Sequence, residues 1–285
     1  MKIKVYIVTY NHSSFLNRNL FSLFMSDMSK HEVEVFIINN HSNFSIQEQY
    51  RDRVTVLHNT LRPDWSTGHL TRNWNQALVN GFKDLENPDC DIVVHAQDDL
   101  DWAPNWANFL VEQHETYDFI NIGTGDAACS YTPEAVRKIG LWDERFCAIG
   151  YHVADYHIRA VKYHGAKSSI NDLGHGRVWN PVPGNVGRFE QHHGGNSNVV
   201  FAPKHDNDRK GQHDTSSLYH PYNEQVFTHK WGDKSFVGAW RFSDADQIPQ
   251  MKNRQYVTYP YFETSFTKNG HPCYAMACRS RLDNS

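Results

Sequence analysis

Short β-branched and aromatic runs alternate with longer amphipathic stretches as far as residue 122, and few folds accommodate that alternation. Residues 2 to 9 predict a first strand. Asn11-His12-Ser13-Ser14 then supplies a turn and capping residues for a helix that carries Phe15, Leu16, Leu20, Phe21, Leu23 and Phe24 on a broad apolar face. Val33 to Ile38 and Val54 to Leu57 predict two further strands. A helix follows from about His69 to Leu85, then a buried strand from Cys90 to Ala96 and a fifth strand near Asp118 to Ile122. Strands and helices spaced in this way pair in parallel through right-handed crossovers, so the carboxyl ends of the strands open on one crevice.

The buried fourth strand delivers His95-Ala-Gln-Asp98-Asp99-Leu-Asp101-Trp to that crevice, and Pro104 suits the first turn of a helix carrying Trp106, Phe109, Leu110 and Val111. Three carboxylates at a strand exit repel one another unless a counter-charge joins them. A hard divalent cation with phosphate oxygens meets that need. The plainer reading of the same acids is an Asp-rich turn that caps the next helix. Arg72, Asn73 and Asn75 sit near the start of the helix that follows the third strand, where polar groups reach a ligand lodged at strand ends.

Composition narrows the function classes. A 39% hydrophobic share over 285 residues buries a sizeable core without staples. A net charge of -4 provides no basic stripe, which argues against a nucleic-acid partner. Five cysteines with no Cys-x-x-Cys pair fit reduced thiols better than a disulfide framework or a zinc ribbon. No stretch approaches about 18 uninterrupted apolar residues, so no membrane span is expected, and the expected setting is soluble and cytoplasmic.

Six fragments in order carry a resemblance. They are Ile7-Val-Thr-Tyr-Asn11, Ile37-Ile-Asn-Asn-His-Ser42, Thr71-Arg-Asn-Trp-Asn75, Asp98-Asp99-Leu-Asp101, Ile139-Gly-Leu-Trp-Asp-Glu-Arg-Phe146 and Asp155-Tyr-His-Ile-Arg159. Together they resemble a GT-A glycosyltransferase of the broad family-2-like kind, of the type with which large DNA viruses or bacteria decorate surface glycans. The resemblance covers residue 3 to about 165, and Lys230-Trp231-Gly232 matches a tail element. It implies an α/β fold with a mixed, mainly parallel central sheet flanked by helices. Residues 1–165 would form the nucleotide-sugar-binding core, and a loop-rich acceptor region, 166–285, would pack on the same domain.

The resemblance also implies a hexosyl- or pentosyltransferase that uses a nucleotide-sugar donor, a UDP-sugar first, and a glycan or glycoprotein acceptor. Thr9, Tyr10 and Asn11 would line the nucleoside pocket, with Arg72 and Asn73 near the ribose or diphosphate and Asp98 and Asp99 on the donor. Manganese or magnesium would be held by Asp99 or Asp101. Where many relatives place an Asp against the uracil edge, this chain has Asn39, which donates as well as accepts. Asn39 and Asn40 read equally well as an ordinary turn pair.

An inverting transfer needs a base for the acceptor hydroxyl. Relatives carry Glu-Asp just before the Asp-x-x-x-Arg segment, whereas this chain has Tyr151-His152-Val153-Ala154. Asp155 is the first candidate and His152 the second; a retaining reaction without a dedicated base is the third reading. Asp155 and Arg159 also fit a surface ion pair one helical turn apart. Trp142, Asp143 and His175 are the expected acceptor contacts. Gly174-His175-Gly176 and Gln191 to Asn196 would line the acceptor site or form turns, and Lys204 to Gln212 is charged enough for a loop over the site.

Two rivals remain on sequence grounds. A nucleotidyltransferase that makes sugar nucleotides shares the sheet and the cation, but Thr-Tyr-Asn-His after the first strand is no glycine-rich triphosphate cradle. A non-catalytic carbohydrate-binding module would draw on the eight tryptophans and fourteen tyrosines.

Overall fold

The computed structural model describes residues 1–10, 13–40, 43–59, 70–121, 126–146, 150–164, 189–191 and 221–232. In chain order the elements are β1 (Lys2–Thr9), α1 (Ser13–Met25), β2 (Glu32–Asn39), α2 (Glu48–Arg51), β3 (Thr55–His58), α3 (Leu70–Phe82) and β4 (Ile92–Gln97). They continue with β5 (Leu100–Trp102), α4 (Trp106–His114), β6 (Phe119–Asn121), β7 (Ala128–Tyr131), α5 (Pro133–Ile139), α6 (Tyr151–His164) and β8 (Phe189–Gln191). Residues 221–231 form a last helix, α7.

Six strands make one mixed, mainly parallel sheet in the order β3-β2-β1-β4-β7-β6, flanked by helices. The first four run parallel, in the register Val5↔Val35 and Val5↔Val94 about β1. Strand residues alternate between faces, and both faces are covered, which explains why β1 and β4 read as continuous apolar runs. Ile3, Val5 and Ile7 meet Leu16, Leu20 and Leu23 of α1 and Trp106 and Leu110 of α4 on one face. Tyr6, Val8 and Val93 meet Trp74, Leu78 and Phe82 of α3 on the other, where α5, α6 and α7 add Val136, Tyr156, Phe227 and Trp231. No helix among the described residues is long and apolar enough to cross a membrane.

The structure departs from the sequence expectations at three points near the crevice. The expected fifth strand is β6, and it does not neighbour β4; β7 intervenes, antiparallel to both. Ala-Cys-Ser-Tyr has no β-branched residue, so propensity gave no sign of β7. A second short strand, β5, follows the acidic turn and pairs antiparallel with β8. Pro104 lies outside α4, whose N-cap is Asn105. Other boundaries follow local chemistry. Thr132 Oγ1 accepts from Ala135 N, Pro133 opens α5, and Gly140 at φ 93° ends it. Lys83, at φ 60°, stops α3.

Candidate active site

Thr9, Asn39, His58 and Gln97 end the four parallel strands in register at one edge. Because β7 runs the other way, its beginning lies at that same edge. Gln97 N donates to Ala127 O at 2.8 Å, which sets Asp126 beside the end of β4. The antiparallel strand thus brings a carboxylate to the crevice from the residues before it.

The acidic turn leaves β4 at Asp98 and Asp99, both buried. Thr9 Oγ1 donates to Asp98 Oδ2 at 2.6 Å, joining the exits of the two central strands. Asp101 is held differently. Arg18 of α1 places Nε 3.1 Å from Oδ1 and Nη2 2.7 Å from Oδ2, a two-pronged ion pair. Among the described residues no group of three or more His, Cys, Asp or Glu side chains is arranged to hold a metal ion. The Asp98–Asp99 pair nevertheless fits the minimal hard-cation site, in which one or two carboxylates are completed by phosphate oxygens and water. Asp101, forked by a guanidinium, does not fit it as placed.

On the other side of β1, Asn39 Nδ2 donates to His58 Nδ1 at 3.2 Å. Asn59 Nδ2 reaches Asn40 Oδ1 at 3.0 Å, Asn73 Oδ1 at 3.2 Å and Gln76 Oε1 at 3.0 Å, so the rim between β2, β3 and α3 is made of amides. Among the described residues the buried Asn73 Nδ2 has no partner, the kind of donor that a ligand oxygen satisfies. Arg72 remains partly exposed, with Nε 3.6 Å from Glu144 Oε2. Tyr10 follows β1 at the rim, and Asn11 lies outside the described residues.

Asp126 was not singled out by the sequence, because Gly123-Thr-Gly-Asp126 has the composition of a turn. It is the best-connected acid of the crevice. Its Oδ2 accepts from His152 Nε2 at 2.7 Å and Trp74 Nε1 at 2.8 Å, and its Oδ1 from Gln97 Nε2 at 3.3 Å. Burial pushes this carboxyl up, but the charge and hydrogen bond of His152 and the Trp74 indole outweigh it and hold it well below the usual carboxylate range. An ionised carboxylate only accepts, so His152 Nε2 carries the proton. Trp74 also stacks on His95 with centroids 3.8 Å apart, and burial pushes that imidazole down to about 3.

Glu144 lies within the Ile139–Phe146 fragment. Its Oε1 accepts from Asn75 Nδ2 at 2.8 Å, while Asn75 also bonds Trp142 N and O, clamping this segment to the first turns of α3. Burial raises the Glu144 carboxyl, opposed by Asn75 and Arg72.

The remaining expected site residues are placed elsewhere. Asp155 has 0% of its surface exposed, and its oxygens are taken by Arg159 Nε at 3.0 Å, Trp231 Nε1 at 2.9 Å and Lys230 Nζ at 2.7 Å. Arg159 is equally buried and binds the carbonyls of Ile139 and Leu141, so the pair with Asp155 belongs to the interior and not to the surface. Asp143 joins the same cluster through Lys230 at 2.8 Å and Arg145 at 2.6 Å, and it too is fully buried. Trp142 is a core residue, stacked on Tyr156 at 4.1 Å with Nε1 on Tyr131 Oη. As placed, neither Trp142 nor Asp143 offers surface to an acceptor. His175, residues 192–196 and residues 204–212 lie outside the described residues.

No protein-family model matches the chain, and no curated protein is similar to it. Solved structures similar to it include S. aureus TarS 1-349 in complex with UDP, at 19% identity and a TM-score of 0.40 over 56% of each chain. Another structure of S. aureus TarS 1-349 aligns at 11% identity and a TM-score of 0.42, over 90% of this chain and 91% of that one. A structure of S. aureus TarS aligns at 13% identity and a TM-score of 0.39, over 87% and 54%. The chain therefore spans little more than half the length of the first and the last of these.

Proposed function

We propose that this chain is a glycosyltransferase that moves a sugar from a nucleoside-diphosphate donor, a UDP-sugar first, to a hydroxyl of a glycan acceptor. One observation carries the reading: acids, amides and an imidazole converge on one sheet edge. Asp98 and Asp99 leave the central strand, Arg72 and Asn73 open α3, and Asp126 with His152 completes the edge from β7 and α6. The order of the family-like fragments in the sequence agrees with it.

The donor diphosphate lies against the first turn of α3, where Arg72 and the helix N-terminus favour negative charge. A divalent cation, manganese or magnesium, held by Asp99 with Asp98 beside it, would stabilise charge developing on the leaving diphosphate. The acceptor hydroxyl gives its proton to His152 as its oxygen bonds to the anomeric carbon. The bond from that carbon to the diphosphate breaks, and the electron pair leaves with the phosphate. Asp126 fixes the ring tautomer and offsets the charge of the protonated imidazole. In this reading His152 replaces Asp155 as the base. The oxygens of Asp155 are already engaged in the interior by Arg159, Lys230 and Trp231.

Calorimetric titration of the full chain with nucleoside diphosphates, with and without manganese, tests the reading. Cation-dependent binding is the expected result, and saturation at 100-fold over Kd should add about 2.7 kcal/mol to unfolding stability. Glycan binding that ignores nucleotide and metal would replace the reading with a binding module. Pyrophosphate release from a nucleoside triphosphate and a sugar phosphate would replace it with a nucleotidyltransferase.

A further inference from the structure

Three carboxylates in four residues look like one ligand set, but α1 divides them. Arg18, Asn19 and Ser22 lie along one side of that helix. Arg18 forks Asp101, Asn19 Nδ2 donates to Gln97 O at 3.1 Å, and Ser22 Oγ accepts from Trp102 N at 2.9 Å. Asn19 Oδ1 also accepts from Trp102 Nε1 at 2.8 Å. Leu100 and Trp102 are buried in the core shared with α1 and α4, so strand alternation turns Asp101, between them, to the opposite face of β5. Swinging Asp101 toward a cation would break the guanidinium fork, one of the ties between β5 and α1.

We infer that Asp101 is not a cation ligand of this enzyme but the anchor of a brace, Arg18–Asp101, that holds the Asp98–Asp99 turn in place for the cation and diphosphate. The inference rests on the transferase reading and departs from the ligand set that its sequence fragments imply. Asp101 acts through Arg18, so it is a positioning residue. Asp98 and Asp99 alone would be too few ligands to hold a divalent cation firmly, so its binding would depend on the phosphate oxygens of the nucleotide.

The two roles predict opposite signs for the Arg18 variant. If Asp101 braces, Arg18→Met and Asp101→Asn break the same contact. Each weakens Mn2+ binding in the presence of UDP by about threefold, and the double variant is no worse than either. Asp99→Asn should cost about tenfold or more. If Asp101 ligates the metal, Asp101→Asn falls as far as Asp99→Asn, while Arg18→Met, which removes a competing positive charge, leaves Mn2+ affinity unchanged or raises it. Electron paramagnetic resonance of free Mn2+ over the full-length variants reads both, and the second pattern overturns the inference. Arg18→Lys should recover part of the loss. A wild-type protein that binds no Mn2+ with any nucleoside diphosphate sinks the transferase reading instead. The brace is then judged by thermal unfolding of the same four proteins without ligand: non-additive losses at 18 and 101 uphold it, and additive ones remove it.

Discussion

Nε2 of His152 lies 2.7 Å from Oδ2 of Asp126, and the two residues reach that contact from opposite directions, one from the first turn of α6 and one from the approach to β7. With Asp126 fixed by Trp74 and Gln97 as well, the imidazole is held in one tautomer before any substrate arrives. Replacing His152 by Asn, or Asp126 by Asn, should lower the single-turnover transfer rate by about 10²- to 10⁴-fold. Nucleotide affinity should stay within about twofold, since the rate loss is confined to the transition state. Full activity in His152→Asn would move the proton transfer to another group.

Asp155 behaves differently. Asn at this position would leave the buried Lys230 with Asp143 and the buried Arg159 with the carbonyls of Ile139 and Leu141, so Asp155→Asn should cost about 3–5 kcal/mol of unfolding free energy. Lys230→Met, which removes the cation that Asp143 and Asp155 share, should cost a similar amount. Urea unfolding checks both. A well-folded Asp155→Asn protein without transfer activity would return this residue to the chemistry.

Gly81 marks the closest approach of α3 to the sheet. A Cβ placed there overlaps Val93 Cγ2 and stands 3.4 Å from Tyr6 Cε2, while the Gly81 carbonyl accepts from Lys4 Nζ at 3.2 Å. The backbone is thus tied from below and has little freedom to retreat. Gly81→Ala should destabilise the fold by about 1–3 kcal/mol, against the gain in helix propensity expected at an exposed site. A denaturation midpoint at or above wild type would show that the helix shifts at no cost.

Acid should weaken the protein well before its carboxylates titrate. Burial pushes His95 and His157 down to about 3, whereas both regain an ordinary value near 6.5 on unfolding. Between those values the unfolded chain binds protons that the native state refuses, so stability falls as pH falls from 6.5 toward 3. Each ring contributes up to about 1.4 kcal/mol per pH unit in that window. Urea midpoints at pH 7, 6 and 5 should decline steadily, and His157→Gln should make that decline shallower. A flat profile would mean that both rings titrate in the native state as they do in the unfolded chain.

The strands were legible wherever side chains advertised them. β1, β2 and β4 carry Val and Ile on both faces. β7 was not, because its place depends on pairing between two neighbours and not on its own composition. Asp126 became invisible with it. The spacing of Asp155 and Arg159 foretold their contact, but the carboxylate's other partners come from α7, 76 residues along the chain at Trp231, and no local pattern encodes them. Asp101 shows the same limit: the run of acids was plain, while the arginine that claims one of them lies 83 residues earlier.

The anchorage of α7 also bears on synthesis. Lys230 closes on Asp143 across 87 residues, and Phe227 and Trp231 fill space between α6 and the segment after α5. A nascent chain released as far as α6 has its sheet but carries two interior acids that lack their lysine and an apolar wall that lacks its cover. Such an intermediate invites chaperones or aggregation until the ribosome has passed residue 231, so slow codons between α6 and α7 would prolong the interval of greatest risk.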